Sequence, residues 1–104
     1  MSEELEIMKL ISIAGDSKSK AFEALKYVKS KDFDKARELI KESRELDTEA
    51  HNIQTGLITK ELNQDEKERN TSLLMVHAQD HYMTSQLSRD LIEELIGLFE
   101  EQNR

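Results

Sequence analysis

Apolar residues recur at helical spacing along three long segments, and no proline interrupts them anywhere in the chain. That combination restricts the fold more than any other feature. A stripe at three- and four-residue intervals marks one face of an α-helix. A chain with no proline and only three glycines has few means of making tight turns. Long amphipathic helices joined by short connections must lay their stripes together. The expected fold is all-α, an antiparallel up-down-up three-helix bundle. The length of 104 residues suits one domain, spanning 1–104, with a thin core.

The first helical segment runs from about Glu3 to Ser30, with Ile7, Leu10, Ile11, Ala14, Ala21, Ala24, Leu25 and Val28 inward. Gly15-Asp16-Ser17 resembles a break, yet the stripe keeps its phase across it, with Ser17 taking an inner position. One helix, with a bend at Gly15 as its weakest point, is expected. Ser30-Lys31-Asp32 forms the first turn, with Asp32 as N-cap and Asp34 at the positive end of the next helix. The second segment spans Phe33 to about Leu62, with Phe33, Ala36, Leu39, Ile40, Ser43, Leu46, Ala50, Ile53 and Leu57 inward. Asp47 and Gln54 lie on its flank. Asn63 to Glu68 reads as the second turn, and Asp65 with Glu68 has the form of a capping box that opens a third helix ending near Glu101. Its expected inner positions are Leu73, Leu74, His77, Asp80, His81, Thr84, Leu87, Leu91, Leu95 and Leu98. Met75, Val76, Tyr82, Met83, Ile92, Ile96 and Phe99 are then surplus apolar residues, some of which must complete the chain's own core, the rest widening the stripe beyond what two partner helices cover. Self-association follows from that surplus.

Composition removes several functions. The net charge is −7, and Lys18, Lys20, Lys26, Lys29 and Lys31 are the nearest thing to a basic patch. A phosphate backbone needs clustered cations, so nucleic acid is excluded as an expected partner. The absence of cysteine rules out disulfides and thiolate metal sites and is compatible with a reducing, cytoplasmic setting. No apolar run approaches membrane-spanning length, so no membrane insertion is expected. The acidic start, Met-Ser-Glu-Glu-Leu-Glu, does not resemble a secretory signal.

The chemistry concentrates in Leu73-Leu74-Met75-Val76-His77-Ala78-Gln79-Asp80-His81-Tyr82-Met83, a polar island within an apolar run. His77 and His81 share one helical face, a spacing able to bind zinc. The metalloprotease pattern H-E-x-x-H is absent, since Ala78 stands in place of the glutamate. The di-iron pattern is absent too, since Thr48, Leu74 and Ala78 precede the three histidines by three residues. A histidine can instead be a nucleophile toward phosphorus, given a free ring nitrogen facing a cleft, a partner for the other nitrogen, and donors for a phosphoryl group. Gln54, Gln79 and His81 are the local candidates for support. Asp80 needs neutralising if buried. Were three chains to meet along the third helix, three Asp80 carboxylates would converge, and a hard divalent cation would suit them.

This segment resembles the active-site region of the IIA components of the lactose/cellobiose (diacetylchitobiose) family of the bacterial sugar phosphotransferase system. Gly15-Asp16-Ser17-Lys18-Ser19 and Ala50-His51-Asn52-Ile53-Gln54-Thr55 extend the resemblance over almost the whole chain. It implies that His77 takes a phosphoryl group on Nε2 from the phosphorylated histidine phosphocarrier protein and passes it to a cysteine of the matching IIB component. The IIC membrane transporter then couples it to disaccharide entry. It implies a homotrimer in which Asp80 meets its two symmetry mates around one divalent cation, magnesium, and it puts His81 and the region of Gln54 near the cleft. Tyr82 stands where family members often carry leucine. Two alternatives remain beside this phosphotransferase: a non-catalytic helical adaptor, and a bundle that binds metal through His77 and His81.

Overall fold

A computed structural model describes residues 2–103. Helix α1 spans Glu3–Lys29, α2 spans Phe33–Leu62 and α3 spans Leu73–Gln102. No helix is long and apolar enough to cross a membrane among the described residues. The Ser2 hydroxyl accepts from the Leu5 amide at 3.2 Å, and three glutamates occupy the first turn of α1 while Lys26 and Lys29 occupy its last, each matching the helix dipole. The helix runs through Gly15 without interruption. Its end is a Schellman-type closure in which the Asp32 amide donates to the Tyr27 carbonyl and the Lys31 amide to that of Val28, both at 3.0 Å. Lys31 takes the left-handed conformation there, at φ 63°, where glycine is the usual occupant. Asp32 caps α2 as the spacing predicts, accepting from Lys35 at 3.1 Å.

Paired residue numbers fall along α2 as they rise along α1: Lys9 with Glu49, Ser17 with Ser43, Lys20 with Glu42. The same holds between α2 and α3, from Arg37 with Glu100 through Arg44 with Glu93 to Gln54 with Gln79. Both neighbouring pairs are therefore antiparallel, and the bundle is up-down-up, 59 Å long and about 20 Å across.

Two apolar clusters fill the ends. Ile7, Leu10, Ile13, Ala14, Ala50, Leu57, Ala78 and Tyr82 form one; Ala21, Ala24, Val28, Ala36, Leu39, Ile40, Ile92 and Ile96 form the other. Between them lies a buried polar layer of Ser17, Ser43, Asp47 and Ser85. Ser17 and Ser43 each donate to the other's backbone carbonyl at 2.9 Å, with their hydroxyls 2.8 Å apart. Ala14, Ala21 and Ala24 on α1 and Ala36 and Ala50 on α2 are fully buried around this contact. Small side chains let the two backbones approach, and the paired hydroxyls satisfy the polar groups that the approach buries.

α3 departs from the sequence expectation in two ways. Asp65 and Glu68 form only an isolated turn, with Glu68 donating to the Asp65 carbonyl at 2.8 Å. The helix opens seven residues later than that capping box, at Ser72, whose hydroxyl accepts from Met75 at 3.0 Å. The expected inner stripe is also turned outward. Leu73, Leu87, Leu91, Leu95 and Leu98 are exposed, Leu73 by 85% and Leu87 by 59%, and His77, Asp80 and Thr84 share their face. The chain's own core takes the opposite face: Ala78, Tyr82, Ser85, Ile92 and Ile96. Tyr82, Ile92 and Ile96, taken as surplus from periodicity, are core residues. The leucines are the surplus.

Candidate functional site

Ser72 sets the phase of α3, and that phase delivers His77 and His81 to one side of its second and third turns. Their Nε2 atoms lie 3.1 Å apart, and their rings meet edge to face with centroids 4.5 Å apart. One of these nitrogens must carry the shared hydrogen. The Nδ1 atom of His81 is buried and has no partner among the described residues. A hydrogen there would be a buried donor with no acceptor, a worse arrangement than a buried lone pair. His81 therefore keeps its hydrogen on Nε2 and donates it to His77. His77, which is exposed, is left with a lone pair on Nε2 and its hydrogen on Nδ1. The Nε2 lone pair of His77 thus accepts from His81, on a side chain that is otherwise exposed.

Asp80 stands one turn from His77 on the leucine face and is exposed. Its carboxylate enters no hydrogen bond or ion pair among the described residues; only its backbone carbonyl is engaged, accepting from the Thr84 hydroxyl at 2.7 Å. No three metal-ligating side chains cluster among the described residues of one chain. A carboxylate with all its acceptor positions free offers one oxygen ligand of the kind that hard cations take.

Gln54 and Gln79 meet, Gln54 Nε2 donating to Gln79 Oε1 at 2.7 Å. They tie α2 to α3 on a different side of the helix from the histidine pair, and no hydrogen bond joins the two pairs among the described residues. Tyr82 points inward, 3% exposed. Gln86 Nε2 donates to its hydroxyl at 3.0 Å, and the same hydroxyl is hydrogen-bonded to His51 Nδ1, also at 3.0 Å. Burial, reinforced by the negative charge of Asp47 and partly offset by Arg89, raises the Tyr82 pKa, which keeps it a donor.

Sequence reasoning placed Asp47 on a flank and passed over Arg89. In the fold Asp47 is 3% exposed, accepts from Ser85 at 3.0 Å, and forms an ion pair with Arg89. Arg89 also reaches Asp90 at 3.1 Å. This pair anchors α3 to α2 two turns beyond the histidines. Asp47, Ser85 and Arg89 do recur at core spacing, which is the signal that could have revealed them.

The sequence from residue 5 to residue 100 matches the family model described as the lactose/cellobiose-specific IIA subunit of the phosphotransferase system. This chain belongs to that family. The IIA chain is 48% identical over 101 residues to the N,N'-diacetylchitobiose-specific EIIA component of Escherichia coli K12, covering 95% of its own length and 85% of the relative's. It is 40% identical over 90 residues to the lactose-specific EIIA component of Staphylococcus epidermidis, covering 86% and 85%. Its fold superposes on the IIA(Chitobiose) chain in the solution structure of the Escherichia coli IIA(Chitobiose)–HPr complex with a TM-score of 0.88, at 41% identity, covering 100% of this IIA chain and 99% of that one. The IIA chain is thus a component of a sugar phosphotransferase system.

Proposed function

We propose that this IIA subunit carries a phosphoryl group on Nε2 of His77. The lone pair of His77 attacks the phosphorus of a phosphorylated histidine on the histidine phosphocarrier protein. An N–P bond forms as the donor's N–P bond breaks, and its electron pair returns to the donor imidazole. His81 then turns its Nε2 hydrogen from the His77 lone pair to a phosphoryl oxygen, which supplies a charge-assisted donor without moving a proton. In the second half, a thiolate sulfur of the matching IIB component attacks the same phosphorus and His77 leaves as neutral imidazole. The carrier works in the cytoplasm, upstream of the IIC transporter that takes up a disaccharide. The observation that supports this reading is the His77–His81 contact, because it leaves Nε2 of His77 without a hydrogen of its own, its lone pair held by a donor that can swing to a phosphoryl oxygen. Gln54 and Gln79 act at a distance, by holding α2 against α3 behind the site.

The working form is a homotrimer built on the outer face of α3. Leu87, Leu91 and Leu98, each at least half exposed in one chain, would be covered by their counterparts. Burying a leucine is worth roughly 1.5–3 kcal/mol, so three per chain supply a substantial drive. In that assembly the three Asp80 carboxylates converge and share one divalent cation, magnesium, which offsets their repulsion. Phosphotransfer from the general phosphotransferase proteins tests the carrier role. His77→Ala is expected to abolish acid-labile labelling while leaving the helical circular-dichroism spectrum unchanged. Retained labelling would refute it.

A further inference from the structure

The two nitrogens that face each other on α3 also have the geometry of a chelate. Two adjacent ligands about 2.0–2.1 Å from a zinc-sized ion lie roughly 2.9–3.4 Å from each other in octahedral or tetrahedral arrangement. The Nε2 atoms of His77 and His81 are 3.1 Å apart, held there by one helical turn. His77 is exposed, so an ion can reach the pair. Imidazole nitrogens favour zinc, nickel and copper over magnesium, which takes oxygen ligands.

We propose that His77 and His81 form a two-histidine site for a borderline divalent transition metal, for which zinc is the probe, and that its occupancy switches off phosphoryl acceptance. Water completes the coordination, since no third protein ligand joins the pair among the described residues. The ion occupies the His77 lone pair, and the hydrogen His81 held on Nε2 moves to its Nδ1. That nitrogen is buried with no acceptor beside it. Tight histidine sites give the other ring N–H a partner, and lacking one holds affinity about 10- to 100-fold lower. The site is therefore weak and reversible, suited to sensing metal excess rather than to storage. Metal and phosphoryl group compete for one lone pair, so each excludes the other. The inhibitory half rests on the phosphohistidine reading; the metal site itself does not.

Zinc titration calorimetry of the full chain in magnesium-containing buffer tests the site, with imidazole nitrogen NMR as the second readout. One zinc per chain is expected, perturbing Nε2 of both His77 and His81. His81→Gln should weaken binding by about tenfold or more, whereas Asp80→Asn and His51→Ala should not. Unchanged affinity in His81→Gln, or zinc that leaves both imidazoles unperturbed, would overturn the site. Phosphotransfer run with chelator and then with zinc separates the two readings. Labelling that zinc suppresses and chelator restores supports the switch, and labelling that persists with zinc bound refutes it. Absent labelling even with chelator would instead count against the phosphohistidine reading, while the calorimetry still decides the metal site.

Discussion

At the scale of single residues, the bundle depends on polar groups that it has buried and paired. Asp47 is the clearest case, with Arg89 and Ser85 satisfying its carboxylate. Removing one partner of a buried ion pair leaves the other uncompensated, at a cost of roughly 3–5 kcal/mol. Asp47→Ala is expected to lower unfolding stability by about 3 kcal/mol, at the low end because Arg89 is 12% exposed and can turn toward water. Urea unfolding measures it. Tyr82 makes a pH-dependent contribution. Its folded pKa lies above the unfolded value near 10, so the native state holds its proton the more tightly. That stabilisation is complete below about pH 10 and disappears as pH rises through the folded pKa. The urea midpoint should therefore fall above pH 10, and fall less steeply in Tyr82→Phe. Equal slopes would show that Tyr82 does not carry the effect. The core spacing of Arg89 was legible in the sequence but its pairing with Asp47 was not, nor were the partners of Tyr82, because a charged residue or a phenol on an apolar helix face does not reveal whether a partner waits opposite.

At the scale of elements, α1 and α2 were legible almost to the residue. Their stripes are narrow, each has one apolar face, and Ser17 and Ser43 hold inner positions as their spacing predicts. α3 has two apolar faces, and periodicity cannot rank them. The leucine face is richer in apolar surface and so looked like the core. The true core face carries Ser85 and Arg89, whose polarity is offset by Asp47 on another helix. The start of α3 was misread for a similar reason. Asp65 with Glu68 has the full capping pattern, whereas Ser72 has Met75 at the third position and no reciprocal side chain. The outward leucines lead to an element-level prediction. Leu87→Glu with Leu91→Glu places charges on positions exposed in one chain. The double variant should remain as helical as wild type by circular dichroism yet sediment as a monomer. Loss of helix content would mean that this face belongs to the chain's own core.

At the scale of the molecule, the candidate site places an imidazole and a carboxylate one helical turn apart on α3, and the proposed carrier gives them different tasks. His77 is exposed, its Nε2 lone pair accepting from His81, while Asp80 lies within the exposed leucine face that further copies cover in the proposed trimer. The polar island itself was legible in the sequence; the His81 tautomer and the outward direction of the stripe were not, since each depends on what the fold buries. Asp80→Leu separates the tasks. Replacing a buried charge by a well-packed apolar residue is often neutral or stabilising by about 1–4 kcal/mol, so the variant should form a trimer at least as heat-stable as wild type, with no bound magnesium. Dissociation to monomers in native mass spectrometry would show that assembly needs the ion. The central claim is that phosphate travels through one nitrogen of His77. Phosphorus–nitrogen coupling in NMR of the ring-labelled, enzymatically phosphorylated chain tests it most directly: a coupling to His77 Nε2 alone is the predicted result, and a coupling to His81, His51 or His77 Nδ1 would contradict it.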